Sequence, residues 1–403
     1  MGALDGLIVL DLSHILAGPY CTQVLSDLGA TVWKIEPPWG DDTRRFGPPF
    51  ASGESAYYLC ANRGKKSLVI NLKDPRGTDL VKRLAQKADV LVENFKSGDL
   101  ARYRLDYISL ARDNPSLVYA SITGFGHTGP RAGDPGVDMI LQAMTGVMGA
   151  TGEPDGQPMR VGVAWVDLLA GQMAAIGILA AIRERDRSGK GQNLDMSLFE
   201  VGLASMANIG QSYLLTGVVP ERLGNAHPHV VPYQPFQARD GSFILAAVTD
   251  SLYRRTTEAI GHPELWNDER FQTNAGRIKY RDDLVSTLAE IFRRKDINEW
   301  VETLAGAGVP ATPICDVAGA LSDPQSKARQ VTWEVPHPTI SDLALLASPL
   351  QYMSRTPAAP QGHPPLLGEH TRDVLADALD LDDSELASLE ADRVIASGPK
   401  QPM

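Results

Sequence analysis

One aspartate, Asp167, lies at the start of the most apolar stretch of the 403-residue chain. From Leu168 to Ile182 only Gln172 is polar. This length is too short to span a membrane and too long for a strand, so it predicts a helix in the middle of a large domain. Asp167 could cap that helix by accepting hydrogen bonds from its first free N–H groups. It could also be a nucleophile, because a helix N-terminus favours the ionised form and an apolar wall excludes the water that would compete for an acyl group.

Basic and amide side chains follow several predicted strands and could hold an anion. Arg44, Arg45 and Phe46 lie in a loop over 39–50, and the cluster NRGKK occupies 62–66. Asn94, Phe95 and Lys96 follow another strand. Loops at strand ends are where open α/β sheets bind ligands. The pattern therefore favours a phosphorylated or nucleotide-like ligand.

A literal G-x-G-x-x-G runs from Gly124 to Gly129, but Pro130 follows it directly, so no helix begins there as a dinucleotide site requires. Glu36 lies roughly where such folds place a ribose-binding acid. The first loop, HILAGP, nevertheless has one glycine instead of three. The sequence therefore disfavours NAD or FAD and predicts a flexible loop at 124–129.

The elements that must position these residues indicate an α/β fold. Short apolar runs at 7–12, 31–35, 67–71, 89–93, 117–123 and 193–198 predict strands, and helical segments lie between them. We predict a large Rossmann-like domain over 1–215 that is completed by 340–403. A small α+β domain is predicted at 225–330, with linkers at 216–224 and 331–367. Helices are expected at 138–148 and 199–215.

Composition limits the possible functions. The net charge of −11 disfavours a nucleic-acid binder, and 43% hydrophobic with 22% charged residues is typical of a globular protein outside the membrane. Cys21, Cys60 and Cys315 show no metal-ligand spacing, so we expect no metal site and a reducing compartment. The N-terminus does not have the pattern of a signal peptide. We expect a cytoplasmic protein, or a mitochondrial-matrix protein in a eukaryote, although no transit peptide is seen.

Several stretches together resemble the family III CoA-transferases, the group that also contains the α-methylacyl-CoA racemases. They occur in the order LDGLIVLDLSHILAGP, KIEPP with GDDTRRF, NRGKKSLVINLKDPRG, ADVLVENF, YASITGFG, the Asp167 stretch, RSGKGQ, GNAHPHVVPYQPF and PLLGEHT. The resemblance spans nearly the whole chain. It implies a Rossmann-like large domain, a small domain on long linkers, and a homodimer whose two chains interlock.

The resemblance also implies a role for Asp167, which falls on the family's nucleophilic aspartate. The expected reaction moves CoA from an acyl-CoA to a free carboxylic acid through an aspartyl mixed anhydride and an aspartyl-CoA thioester. Coenzyme A and acyl-CoA then enter as substrates, and no permanently bound cofactor is expected. Positions that match the family's CoA contacts are Leu16, Ala17, Pro37, Ile70, Asn71, Leu72, Lys73, Asn94, Phe95, Lys96, Arg102, Gly136, Val137 and Asp138.

Departures from the family pattern bear on the substrate. Pro37 replaces an arginine, for which Arg45 or Lys34 is expected to compensate. Leu16 replaces a glutamine and Phe46 a tryptophan of the formyl-CoA:oxalate enzymes, which disfavours oxalate. The segment GNAHP…VPYQ…F, with Val248-Thr-Asp, most resembles the dicarboxylate branch, which uses succinyl-CoA with itaconate, mesaconate, citramalate, malate or hydroxymethylglutarate.

A second carboxylate on the substrate would favour an arginine partner. We expect Arg45 first, with Arg44 and then Arg160 as further candidates. His14 and Phe46 are the other predicted substrate contacts.

Three alternatives remain. A racemase needs a second base, and the racemases' Gly-His-Asp triplet is Gly136-Val137-Asp138 here, so valine stands where the base would be. A transferase of the formyl-CoA/oxalate type, or one for another acyl-CoA, would keep Asp167 with a different acceptor. A CoA-binding protein without catalysis would have no use for a costly buried carboxylate.

Overall fold

A seven-stranded sheet organises the larger of two units in the computed structural model, which describes residues 2–398. Over those residues the strands are β1 (Ile8–Asp11), β2 (Thr31–Glu36), β3 (Phe50–Ala51), β4 (Glu54–Ser55), β5 (Lys65–Ile70), β6 (Val90–Glu93), β7 (Val118–Thr123), β8 (Asn193–Ser197), β9 (Tyr233–Gln237), β10 (Ser242–Ala246), β11 (Ala311–Pro313), β12 (Thr332–Glu334), β13 (Ala344–Leu346) and β14 (Ile395–Ala396).

The large sheet has the strand order β14-β5-β2-β1-β6-β7-β8. Every neighbouring pair in it is parallel except β14 with β5. Strands β6 and β7 are buried along their whole length, as expected for parallel strands with helices on both faces. The prediction of an α/β fold built on a parallel sheet is confirmed.

Helices cover this sheet and make up much of the second unit. In the described part of the chain they are α1 (Ala17–Asp27), α2 (Ala56–Leu59), α3 (Pro75–Lys87), α4 (Tyr107–Leu110), α5 (Asp138–Met144), α6 (Val147–Ala150), α7 (Trp165–Ser188), α8 (Leu198–Ser205), α9 (Ala207–Thr216), α10 (Asp250–Ala259), α11 (Glu264–Asn267), α12 (Asn274–Lys279), α13 (Arg281–Phe292), α14 (Ile297–Gly306), α15 (Val317–Ser322), α16 (Pro324–Ala328), α17 (Thr371–Leu379) and α18 (Asp383–Ala391). Short 3-10 turns occupy Asp42–Arg45, Asp99–Tyr103 and Pro349–Tyr352.

The larger unit comprises residues up to 147, 160–215 and the segment from 329 onward. The smaller unit comprises 148–159 and 216–328, and its core gathers around the β9–β10 hairpin and α13. The stretch 331–367, which the sequence predicts to be a linker, contains the β12–β13 hairpin and one of the 3-10 turns. The helix predicted at 138–148 is divided into α5 and α6, and the helix predicted at 199–215 into α8 and α9.

Helix α7, which carries Asp167, packs closely on α1. A Cβ placed on Gly171 would lie 2.6 Å from the carbonyl oxygen of Ala17, so only glycine allows this approach. By length and composition α7 could cross a membrane, but half of its most apolar window is buried within the fold. Helix α7 therefore packs into the core along one side and is exposed along the other.

The expectation that α7 lies in the middle of a large domain is met on one side of the helix only. Met173 is 46% exposed and Ile176 58% exposed. The apolar residues of its other side, such as Ala174 and Ile178, are buried in the sheet-covering core. An apolar composition all round cannot distinguish helices buried within one chain from those that keep an exposed apolar face.

Candidate active site

Asp167 is the third residue of α7 and not its N-cap. The N-cap is Ala164, which offers no side-chain hydrogen bond. The capping interpretation of Asp167 is therefore wrong by position. A carboxylate at the third residue still lies in the first helical turn, where free N–H groups and the helix dipole are concentrated.

A different carboxylate caps this helix. Asp138, at the start of α5, accepts the N–H of Val166 on Oδ1 at 2.8 Å, and the N–H of Asp167 lies 3.4 Å from the same oxygen. Its Oδ2 accepts a hydrogen bond from Gln142 Nε2 at 2.7 Å. The Oε1 of Gln142 in turn accepts the N–H of Val161 at 2.9 Å. One side-chain pair therefore holds both ends of the segment that leads into α7.

The Asp167 side chain is almost buried and lacks a partner of its own. It is 9% exposed, and over residues 2–398 no hydrogen bond or ion pair reaches its carboxylate. Burial, with the nearby negative charge of Asp138, raises the pKa of Asp167 to about 7. The sequence argument that the helix N-terminus keeps this group ionised does not hold, because Asp138 already uses the terminal N–H groups. An ionised Asp167 is instead a poorly solvated carboxylate.

One cavity near the strand ends measures about 360 Å³. It lies at the carboxyl ends of β1, β2, β5 and β6, the edge where open α/β sheets bind ligands. Its lining includes eight residues that the sequence predicts to contact CoA or substrate: His14, Pro37, Ile70, Asn71, Leu72, Lys73, Phe95 and Arg102. Parts of the chain far apart in sequence thus meet around one space.

The other predicted CoA residues do not line this cavity. Leu16 and Ala17 are buried at the start of α1, and Lys96 lines a separate, smaller pocket. Gly136 packs against the backbone of Gly124. Val137 and Asp138 begin α5 beside Asp167, and the structure shows Asp138 as a helix cap. These residues remain predictions as ligand contacts.

Asn94 fixes the loop that carries His14. Its amide donates to the carbonyl of His14 at 2.7 Å, and its Oδ1 accepts the N–H of His14 at 2.8 Å. The imidazole contacts the Phe95 ring edge-on, with centroids 5.3 Å apart. Burial, with the positive charge of Lys34, lowers the pKa of His14, so the neutral imidazole is favoured at neutral pH. Asn94 is thus a structural link, while His14 and Phe95 face the cavity.

The two neighbouring arginines of the loop have opposite environments. The side chain of Arg44 is only 9% exposed and is bidentate on Glu36, with both N–O distances 2.8 Å, and it also donates to the Tyr58 hydroxyl. It has no free donor face for a substrate. Arg45 is exposed and pairs with Asp42, a cavity-lining residue. Arg45 is therefore paired with a residue of the cavity wall, in an exposed ion pair that a ligand can replace at little cost.

Lys34 does not compensate for the missing arginine at Pro37. Its ammonium is fully buried and donates to Asp41 Oδ2 at 3.0 Å and to the Ser13 carbonyl at 2.9 Å. The expectation for Lys34 is therefore wrong, because a phosphate cannot reach it. Lys73 and Arg102 are the cationic residues among those that line the cavity.

Tyr57 connects the arginine loop with the surroundings of Asp167, a role that the sequence does not reveal. Its ring contacts Phe46 edge-on at 5.5 Å between centroids. Burial raises the pKa of Tyr57 to about 12, with the charge of Asp167 as the next cause. Tyr57 and Gln142 carry no motif; for Gln142 the only available signal is its spacing of four residues from Asp138.

Comparison with known proteins identifies relatives of this chain in sequence and in structure. The family model for CoA-transferase family III matches residues 4–371. The succinate–glutarate CoA-transferase of Agrobacterium fabrum is 44% identical over 384 residues, covering 93% of this chain and 95% of that protein. The acetyl-CoA:oxalate CoA-transferase of Acetobacter aceti is 43% identical, over 82% of this chain and 85% of its own length. A crystal structure of a CAIB/BAIF family protein from Brucella suis superposes with a TM-score of 0.84 at 42% identity, covering 94% of this chain and 99% of that one.

Proposed function

Because the chain belongs to CoA-transferase family III, we propose that it moves CoA from succinyl-CoA to a free dicarboxylic acid, with glutarate as the first acceptor to test. The observation that carries the chemistry is the almost buried, partnerless carboxylate of Asp167 at the start of α7. The similarity to the succinate–glutarate enzyme of A. fabrum supports the choice of substrates.

The proposed reaction exchanges bonds at Asp167 without a net proton change. The ionised carboxylate attacks the thioester carbonyl of succinyl-CoA, and the C–S bond breaks. CoA thiolate departs, and a mixed anhydride of Asp167 and succinate remains. The thiolate then attacks the aspartyl carbonyl, which releases succinate and forms an aspartyl-CoA thioester. The acceptor carboxylate attacks this thioester, and the thiolate released attacks the acceptor carbonyl of the new anhydride. The products are the new acyl-CoA and free Asp167.

The environment of Asp167 suits both directions of this exchange. A carboxylate that no donor stabilises is a stronger nucleophile than one in water, and its pKa of about 7 leaves a large ionised fraction at neutral pH. Exclusion of water also protects the anhydride from hydrolysis. Transfer is therefore expected to need a site that closes around the thioester.

We assign CoA to the 360 Å³ cavity at the strand ends. Lys73 and Arg102 supply positive charge for the phosphates of CoA. The Lys73 ammonium also lies 5.7 Å from the centroid of Trp39, whose ring offers a flat face for the adenine. The predicted contacts at Leu16, Ala17, Asn94, Lys96 and 136–138 stay part of this proposal as neighbours of the thioester arm.

The proposed function is tested by a transfer panel read by mass spectrometry. Succinyl-CoA or acetyl-CoA is the donor, and glutarate, mesaconate, oxalate and acetate are the acceptors. We expect glutaryl-CoA from succinyl-CoA as the main product. Preferential formation of oxalyl-CoA from acetyl-CoA would favour the acceptor of the A. aceti relative and overturn the glutarate assignment.

The racemase alternative gains no support from His127. Val137 occupies the position of the racemase base. Both ring nitrogens of His127 lie within hydrogen-bond distance of serine hydroxyls, Ser97 Oγ at 2.8 Å and Ser121 Oγ at 2.7 Å. A histidine held in this way has no free nitrogen with which to exchange an α-proton.

Arg45 is proposed to bind the second carboxylate of the acceptor, with His14 and Phe46 beside it. Replacing Arg45 by alanine removes a charge-assisted hydrogen bond, so the KM for glutarate should rise about tenfold while the KM for succinyl-CoA changes little. Steady-state kinetics with glutarate against a monocarboxylate measure the effect. Arg131→Ala is the matched control, since its exposed guanidinium pairs with Asp134 three residues along the chain, as Arg45 pairs with Asp42. An unchanged KM for glutarate in Arg45→Ala would refute this role.

A homodimer is proposed from apolar surface that one chain leaves exposed. Helix α9 has no buried residue, yet it includes Tyr213, Leu214 and Leu215. A ten-residue helix with no fully buried residue is marginal in water, so a second copy is its best cover. Sedimentation should give twice the chain mass of 43.5 kDa.

Leu214→Glu should dissociate this dimer, whereas Gln325→Glu, an equal gain of charge at an exposed site, should not. If the dimer is interlocked through the predicted linkers at 216–224 and 331–367, differently tagged dimers should exchange subunits only after unfolding. A wild-type mass of a single chain would exclude the dimer.

A further inference from the structure

The backbone that carries Asp167 is held by Asp138 and Gln142 of α5. We propose that Asp138 and Gln142 are positioning residues of the transfer reaction, which fix the segment 161–167 so that the Asp167 carboxylate faces the thioester. This inference rests on the proposed function and adds two residues to its machinery. The hydrogen bonds from Val166 and Val161 to this pair are its geometric basis.

Asp167 depends on this support because its own side chain has none. Its carboxylate forms no hydrogen bond within residues 2–398, so only its backbone and packing set its direction. The pair Asp138–Gln142 anchors the N–H of Val161 at one end of the entry segment and that of Val166 at the other. Attack on a carbonyl is sensitive to placement, and an error of about 1 Å can cost about 100-fold in rate.

Asp138 also acts through its charge. The carboxylate of Asp138 is the charged group that, after burial, raises the pKa of Asp167. Tyr57 is the other titratable side chain whose charge interaction with Asp167 the structure shows. Asp138 thus satisfies the helix N–H groups and at the same time opposes ionisation of the nucleophile, so that the substrate meets a less stabilised carboxylate.

The two roles available to Asp138 predict different kinetics. A contact with CoA, as the resemblance implies, would change the KM for succinyl-CoA when it is removed. A positioning role would change kcat, because the misplaced nucleophile affects the step after binding. The hydrogen-bond pattern allows an isosteric test, since Asp/Asn and Gln/Glu have the same shape and differ in charge and in which atoms donate.

The experiment compares Asp138→Asn, Gln142→Glu and the double variant. In Asp138→Asn, the new amide faces the Gln142 amide donor to donor, and in Gln142→Glu two carboxylates face each other. Either single change breaks the pair, so we expect kcat to fall about 10- to 100-fold with the KM for succinyl-CoA within about twofold.

The double variant restores the pair with its direction reversed. The new amide at position 138 donates to the new carboxylate at position 142, and the other oxygen of that carboxylate accepts the N–H of Val161. We expect kcat to recover to within about threefold of wild type, because the two changes compensate within one hydrogen-bonded pair.

The pH profile supplies a readout that a merely structural role would not move. Removing the negative charge beside Asp167 lowers its pKa, so the rising limb of kcat/KM in Asp138→Asn should shift to lower pH. Asp134→Asn, in the exposed loop before α5, is the matched control and should leave both kcat and the limb unchanged. Melting temperatures show whether each variant is folded.

The outcomes separate this inference from the proposed function. A raised KM with unchanged kcat, or a double variant no better than the single ones, would overturn the positioning role. Wild-type kinetics in both single variants would also overturn the positioning role. If Asp167→Asn were inactive in that case, the proposed function would still stand. Transfer that survives in Asp167→Asn would overturn the proposed function itself.

Discussion

Asp167→Asn is expected to abolish CoA transfer, with a loss of at least ~10³-fold in kcat. The amide has the shape of the carboxylate but cannot form the anhydride, so both covalent intermediates disappear. Mass spectrometry of the intact chain after brief exposure to succinyl-CoA should show a covalent adduct in the wild type and none in the variant. The transfer panel measures the loss for each acceptor.

Folding is not expected to explain this loss. An ionised carboxylate with a pKa raised to about 7 by burial destabilises the folded chain at neutral pH, and asparagine removes that cost. The variant should therefore melt at or above the wild-type temperature at pH 8. A variant with a lowered melting temperature would indicate that the side chain has a structural role instead.

Arg44→Leu is expected to lower the free energy of unfolding of the larger unit by about 3 to 5 kcal/mol. Its guanidinium is bidentate on Glu36, which is fully buried, so its removal leaves that carboxylate without its main partner. The pKa of Glu36, which burial would raise, is held below its usual value by Arg44. Urea unfolding, followed by circular dichroism, measures the loss.

The neighbouring arginine provides the control for this prediction. Arg45→Leu removes an exposed ion pair with Asp42 and should change stability by less than about 1 kcal/mol. For the KM for glutarate we expect the opposite order, with a larger increase in Arg45→Leu than in Arg44→Leu. If both changes destabilised the fold equally, the distinction between a structural and a substrate-facing arginine would be wrong.

The contrast between these arginines shows what sequence alone can and cannot predict. The apolar run after Asp167 and the strand-end loops are recognisable in the sequence because the order and length of apolar runs predict helices, strands and the loops between them. Arg44 and Arg45 are identical as letters, and only the distance of each from Glu36 separates their roles. The same holds for Lys34, whose burial beside Asp41 depends on two strands and a loop meeting in space.

The candidate site is predictable at its centre and not at its edges. Asp167 is identified by its unusual setting and by its place in the family pattern. The residue that caps α7 cannot be identified in this way, since Asp138 lies 28–29 residues away in sequence from the N–H groups whose hydrogen bonds it accepts. A helix start followed by an amide four residues later fits many helices, so the pair Asp138–Gln142 carries no signal until the fold places it against α7.

The edge of the large sheet is completed by residues near the end of the described chain. Strand β14 pairs with β5, and the N–H of Val69 in β5 donates to the hydroxyl of Thr371 at 3.1 Å. The hydroxyl of Ser67, also in β5, accepts the N–H of Gly368 and donates to Glu36.

These contacts set an order of events during synthesis. The segment 216–328 leaves the ribosome while β5 still has an open edge, and β5 gains its outer partner only after β14 has emerged. A nascent chain or a premature-stop fragment therefore exposes an unpaired strand, which makes it a substrate for chaperones and proteases rather than a partly active transferase.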